Sequence, residues 1–252
     1  MFSKYNIYLP MNIIQTWKNR DIPPHYRLFI NKVKMLNPSH NYMFFTDTDI
    51  EEFIEIRMPE YKETFYGLTE KIQQIDFFRY LVIYYYGGLY LDLDMDLYVP
   101  FDGLLGVTSE ENPMQCIFPV EQKNISDLLL INQNTNILIG NYAFYATKQH
   151  PFIKQIIDNI VSQRIAENEI QIAQSTCTDD TRDVFVYYRT GPILVTQSYI
   201  DYNKNANNTC CAVTLLEPTE YKDNCFGNYG FHRCYGSWRH SNPSAEQTPI
   251  AY

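Results

Sequence analysis

The chain has 252 residues, 45% of them hydrophobic, and a formal charge of −9. Those figures exclude a disordered or fibrous protein and suffice for one α/β domain with its own core. The acid excess excludes a general nucleic-acid binder, because phosphate backbones are held by Lys and Arg.

At the amino terminus, "MFSKYNIYLPMN" lacks the basic-then-apolar layout of a secretory leader, and no later stretch reaches the roughly 18 consecutive apolar residues of a membrane span. The expectation is a cytoplasmic protein without a transmembrane segment. "MNIIQTW" (residues 11–17) reads as the first strand. "PPHYRLFINKVKMLNP" reads as a helix that starts at Pro23-Pro24 and ends at Asn37-Pro38. "NYMFFTDTD" gives a second strand, with Asp49 as N-cap of a helix from Ile50 to Arg57. A helix over Glu70 to Tyr86 is stopped by Gly87-Gly88, and "GGLYLDLDMDLYV" (Gly87 to Val99) follows as one strand. "NILIGNYAFYAT" suggests strands around Gly140, and "HPFIKQIIDNIVSQRIAEN" one long amphipathic helix with Pro151 in its first turn. Asp179-Asp180 and "DYNKNANNTCC" read as loops, and 241–252 as a flexible tail after a domain over 1–240. The alternation of strands and helices predicts an α/β domain with a largely parallel sheet. Cysteines 116, 177, 210, 211, 225 and 234 show no CxxC spacing and read as free thiols, with a Cys225 to Cys234 bridge as the alternative.

The aspartate strand is the anomaly. Side chains alternate across an extended chain, so Leu91, Leu93, Met95 and Leu97 should share one face and Asp92, Asp94 and Asp96 the other. Like charges about 7 Å apart repel, and more strongly where water is scarce. Asp96 is expected to escape into solvent at the strand end rather than serve as an obligatory ligand. In the preceding helix Ile72, Ile75, Val82 and Tyr86 mark an apolar stripe, with Asp76 and Arg79 beside it at i and i+3. That pair fits either a partly buried salt bridge or two groups aimed at ligand hydroxyls. An EF-hand fails, because Leu97 and Gly103 stand where its glycine and glutamate belong. An aspartyl-phosphate phosphatase using Asp92 and Asp94 stays open, as does a divalent cation bridging the phosphates of a nucleotide.

"DFFRYLVIYYYGGLYLDLDMD" (Asp76 to Asp96) resembles the D-x-x-R-Y…GG-x-Y-x-D-x-D signature of the DXD-containing sugar transferases of glycosyltransferase family 32. That family includes fungal initiating mannosyltransferases and bacterial capsule transferases, and its core is similar to that of the clostridial glucosylating toxins. "IIQTW" (Ile13 to Trp17) resembles the family's I-H-Q-T-W opening, with Ile14 in place of His. "HPF" (His150 to Phe152), "TGP" (Thr190 to Pro192) and His232 six residues before Trp238 follow in order.

The resemblance implies a GT-A fold, a single Rossmann-like domain with a mostly parallel central sheet flanked by helices. It implies a retaining hexosyltransferase acting on a UDP- or GDP-sugar with Mn2+ or Mg2+, and a glycan or protein acceptor. Asp92 would contact the ribose and donor sugar, Asp94 the metal, and His232 the metal or diphosphate. Asp76 and Arg79 would hold donor hydroxyls, with Tyr80 and Gly88 of the same signature counted among the donor-binding residues. Trp17 would stack on the base beside Gln15 and Thr16, Ser237 and Trp238 would close over the phosphates, and Asn141 would lie beside the transferred sugar. An amide at 141 in place of a nucleophilic carboxylate implies same-face attack, with the departing phosphate taking the acceptor's proton. The competing classes are the phosphatase and a catalytically degenerate nucleotide-sugar-binding protein.

Overall fold

The computed structural model describes residues 10–104, 114–123, 137–204, 211–217 and 223–239. The expected tail over 241–252 and Cys210 lie outside them. Strands β1 (Asn12–Thr16), β2 (Asn41–Phe45), β3 (Gly88–Leu91), β5 (Cys116–Lys123), β6 (Ile137–Ile139), β7 (Ala143–Ala146) and β8 (Val213–Leu216) form one sheet. Its order is β2-β1-β3-β7-β5-β6, with β8 also on β5. Pairing is parallel in β2-β1-β3 and β5-β8, and antiparallel where β7 meets β3 and β5 and where β6 meets β5. A second sheet joins β4 (Met95–Leu97), β10 (Gly230–His232) and β9 (Cys225–Phe226) in that order.

Strand alternation divides the core. Ile14, Tyr90, Phe118 and Phe144 face one apolar cluster, built with helices α2 (Asp47–Arg57), α4 (Lys71–Tyr86) and α5 (Pro151–Val161). Their neighbours Ile13, Leu89, Leu91, Ile117 and Ala143 face another, which includes Val33 of α1 (Pro24–Leu36) and Leu97 of β4. The helices α3 (Lys62–Gly67), α6 (Glu167–Thr176), α7 (Thr181–Arg189) and α8 (Pro192–Asn203) complete the domain. This is the expected α/β architecture.

Local chemistry accounts for the differences from the sequence reading. Helix α2 starts two residues before Asp49's own position: Thr46 is its N-cap, and Asp49 closes a capping box as the third helical residue. The stretch after His150 forms two helices, because the chain turns through Gln163 at φ 51 before α6 begins. Helix α8 runs to Asn203 and so takes in the start of the expected polar loop. Helix α4 is buried well beyond a stripe: Phe77, Phe78, Tyr80, Leu81, Val82 and Ile83 are all fully buried. Among the described residues no bridge joins Cys225 to Cys234, and Cys116 and Cys177 are free thiols.

The glycine pair does more than stop α4. Gly87 (φ 71) caps the helix and Gly88 (φ 121) starts β3 against β1, so close that a Cβ there would lie 2.4 Å from the Asn12 carbonyl oxygen. Neither the backbone angle nor the space suits an L side chain. Gly88→Ala is therefore expected to destabilise the protein by roughly 2–4 kcal/mol, as strain and overpacking combine. A lowered midpoint in urea denaturation at unchanged m-value is the expected reading.

Candidate active site

The aspartate segment is not one strand. The Asp92 N–H donates to the Tyr142 carbonyl (2.8 Å), the Met95 N–H donates to the Asp92 carbonyl (3.2 Å), and the chain turns between them. β3 therefore stays in the main sheet while β4 leaves it for the second. Strict alternation is lost: Leu91, Met95 and Leu97 join the second cluster, whereas Leu93 packs with Tyr26 and Ile30 of α1. The turn stands at the carboxyl end of β3, beside the end of β1, where open α/β sheets leave a crevice. A cavity of about 480 Å³ occupies that place, with Thr16, Trp17, Asp92 and Asp94 in its wall.

Asp76 and Arg79 of α4 form one side. Both are 3% exposed, and the Arg79 Nη2 lies 3.0 Å from Asp76 Oδ1 and 3.5 Å from Asp92 Oδ1. Arg79 Nη1 donates to the Asn141 carbonyl (2.6 Å), and its guanidinium stands over the Tyr90 ring. The Asn141 amide donates to Asp76 Oδ1 (3.2 Å) and the Tyr80 hydroxyl (3.1 Å), and Thr190 Oγ1 donates to Asp76 Oδ2 (2.8 Å). The salt bridge exists, and both of its members border the cavity. Burial lifts the Asp76 and Asp92 carboxyls above the ordinary range despite Arg79.

Opposite stands His232, carried on β10 by its pairing with β4, where it faces Met95. Its Nε2 lies 3.1 Å from Asp94 Oδ1 and 3.8 Å from Asp92 Oδ2. Asp94 Oδ2 accepts the Tyr235 N–H (2.9 Å), and the Asp94 carbonyl accepts the Arg233 N–H (3.1 Å). Burial pushes the Asp94 carboxyl up, but His232 and the Tyr235 N–H hold it below its usual range. Burial likewise opposes charge on His232, yet Asp94 raises its pKa well above the ordinary value. One ligand atom from each of Asp92, Asp94 and His232 lies within 4.8 Å of the other two. Two carboxylates and an imidazole are a donor set that could hold a divalent cation.

The remaining expected residues divide. Trp17, Thr16, Asn141, Ser237 and Trp238 line the cavity. Trp17 packs on Tyr26 with ring centroids 4.7 Å apart, and Trp238 lies near the guanidinium groups of Arg182 and Arg239. Gln15, Tyr80 and Gly88 do not reach it, and their expected place among donor contacts is corrected. Gln15 is fully buried, its amide donating to the Asp92 carbonyl (3.2 Å) and accepting from the Tyr42 hydroxyl (2.9 Å). Tyr80 is fully buried behind Asn141 and donates to the Thr190 carbonyl (2.9 Å). Gly88 serves the β1–β3 contact. The sequence reading missed Tyr142, whose ring stacks on His232, and Glu121, a cavity carboxyl that burial lifts to about 7. An aromatic in the bend before β7 and one Glu among many give no signal without the sheet order.

Residues 23–110 match the family described as glycosyltransferase sugar-binding region containing DXD motif. The chain is 28% identical over 155 residues to inositol phosphoceramide mannosyltransferase 1 of Schizosaccharomyces pombe, covering 60% of this chain and 43% of that protein. It is 25% identical over 214 residues to mannosyl phosphorylinositol ceramide synthase CSH1 of Saccharomyces cerevisiae, covering 85% of this chain and 49% of that protein. The chain thus spans less than half the length of these relatives. A solved structure, PaToxG glycosyltransferase, superposes with a TM-score of 0.51 at 18% identity, over 80% of this chain and 73% of that one. The fold is GT-A, and neither the phosphatase nor the degenerate binding protein is favoured. The expected cytoplasmic location is overturned: the relatives are fungal mannosyltransferases named for ceramide lipids, which are membrane constituents. Among the described residues no helix is long and apolar enough to cross a membrane.

Asp96 also departs from expectation. It is held between Lys32 of α1 (2.7 Å) and Arg233, with its side chain 14% exposed, and it stands outside the Asp92, Asp94 and His232 cluster. The expected solvated carboxylate is thus an ion-paired one, because β4 keeps to the α1 surface instead of ending. Burial raises its pKa, but Lys32 and Arg233 outweigh that and hold it below the ordinary value. A depressed folded-state pKa stabilises the protein above the unfolded pKa and loses that effect as pH falls through the folded one. Asp96→Asn is expected to cost about 1 kcal/mol at pH 7, and the gap to wild type should close as pH falls below about 4. Urea midpoints of both proteins across that range measure it.

Proposed function

We propose that this chain, whose residues 23–110 match the DXD-containing sugar-binding region of glycosyltransferases, is a metal-dependent, retaining hexosyltransferase that takes its sugar from a nucleoside diphosphate sugar. The observation that carries the reading is the convergence of Asp92, Asp94 and His232 at the mouth of β3, inside the cavity that Trp17 and Trp238 also line. A divalent cation held by Asp94 and His232 would stabilise the negative charge that grows on the leaving diphosphate. The domain extends over 1–240 in this proposal.

The chain's own residues then divide the donor between them. Trp17 offers a flat apolar face to the base, and Thr16 stands beside it. Asp92 accepts from the ribose and the sugar, its carboxylate oriented by the Tyr90 hydroxyl (2.9 Å) and Arg79. The Asp76–Arg79–Asn141 wall borders the transferred sugar, and Ser237 and Trp238 cover the phosphates. Position 141 is an amide already tied to Asp76 and Tyr80, which favours same-face attack over a double displacement. The names of the fungal relatives favour mannose as the sugar and an inositol phosphoceramide among the acceptors, beside the glycan or protein acceptors of the wider family.

The test is a screen of UDP- and GDP-sugars for release of nucleoside diphosphate with Mn2+, Mg2+ or chelator. Asp94→Asn keeps shape but removes a hard anionic ligand and the partner of His232, so it should still fold, at some cost in stability, and lower turnover about a hundredfold to ten-thousandfold. Full activity in chelator would overturn the metal reading. Release of inorganic phosphate without use of a nucleotide-sugar would favour the phosphatase.

A further inference from the structure

His232 supplies its Nε2 to the cluster only in one orientation of its ring. Strand β10 fixes its backbone through pairing with β4 and through the His232 N–H donated to the Asn224 carbonyl (2.9 Å). The ring itself is set by what it touches. On its Nδ1 edge stands Cys234 Sγ at 3.3 Å. On its face lies the Tyr142 ring, with centroids 4.5 Å apart and planes 12° from parallel.

Tyr142 touches the cluster at a second point. Its carbonyl accepts the Asp92 N–H at 2.8 Å, the bond that opens the turn from Asp92 to Asp94. One residue thus holds the backbone under the first carboxylate and the ring opposite it. Its seat is provided by Gly140: a Cβ there would lie 2.5 Å from Tyr142 Cε1 and would push the ring away. The Tyr142 residue is 2% exposed, and its buried hydroxyl has no hydrogen-bond partner among the described residues. The hydroxyl therefore does not hold the ring in place; shape and stacking do.

We propose that Tyr142 is the positioning residue of the Asp92, Asp94 and His232 cation site, its ring fixing the plane of His232 and its carbonyl fixing Asp92. This rests on the cation reading above, and its experiment separates the two. An imidazole that must first be brought into line gives a weaker ligand, and outer groups that orient metal-binding histidines typically govern affinity about tenfold to a hundredfold. Tyr142→Phe keeps the face and drops an unsatisfied hydroxyl. Tyr142→Leu removes the face and leaves the carbonyl. Gly140→Ala leaves Tyr142 in the chain but displaces its ring.

The measurement is Mn2+ titration of the whole chain without donor, with unbound Mn2+ read by electron paramagnetic resonance and folding checked by circular dichroism. Tyr142→Phe should bind Mn2+ within about twofold of wild type, whereas Tyr142→Leu and Gly140→Ala should weaken it about tenfold or more. In a His232→Ala background Tyr142→Leu should add little further loss. Folded Tyr142→Leu or Gly140→Ala with wild-type affinity would overturn the proposal. So would a Tyr142→Phe as weak as Tyr142→Leu, or an undiminished effect of Tyr142→Leu without His232. If Tyr142→Leu does not fold, Gly140→Ala and Tyr142→Phe decide between the same outcomes. Wild type that binds no Mn2+ would overturn the cation reading as well, whereas wild type that binds it indifferently to residue 142 overturns this inference alone.

Discussion

Asp92 and Asp94 stand in one cavity, and their mutual repulsion is the constraint that the surrounding structure answers. Asp76 adds a third carboxylate nearby. Against these are one buried guanidinium, Arg79, wedged between Asp76 and Asp92, and one imidazole, His232, facing Asp94. With all three carboxylates ionised, a proton on His232 leaves the group one negative charge in excess. A divalent cation in place of that proton brings it to neutrality, in keeping with the release of ligand protons on metal binding. The cluster in this account is balanced for a cation, and Lys18, Lys71, Arg182 and Arg239 also line the cavity.

The fold delivers this balance by breaking a strand. Had Gly88 to Leu97 run straight, Asp92, Asp94 and Asp96 would have lined one face of the main sheet as an uncompensated row. The turn after Asp92 sends β4 into a second sheet, and β10 pairs with it so that the His232 register falls beside Asp94. Asp96 is turned aside to Lys32 and Arg233. Behind the turn, Gln15, Tyr42 and Tyr90 tie Asp92 to β1 and β2, so the carboxylate stands on the most regular part of the sheet.

Much of this was legible in the residue order, for stated reasons. Pro24 and Asn37 bound α1, Gly87 ends α4, and the i to i+3 spacing of Asp76 and Arg79 does pair them, because such signals are local. The aspartates announced a need for positive charge from alternation alone. What failed was non-local. The break in the aspartate strand depends on the Tyr142 carbonyl, 50 residues on, and no periodicity within Gly87 to Val99 contains it. Gln15, Tyr80 and Gly88 belong to the family signature yet are buried behind the cavity, since a signature records packing as well as contact. Glu121 of β5 and Tyr142, just before β7, reach the cavity through the pairing of those two strands.

The central claim is that Asp92, Asp94 and His232 together form the cation site. Anomalous diffraction from crystals soaked with Mn2+ tests it most directly, because it locates the ion without reference to activity. The account predicts one strong peak within bonding distance of Asp94 and His232, close to Asp92, and its loss in Asp94→Asn. A peak elsewhere in the cavity, or an undisturbed peak in Asp94→Asn, would contradict it.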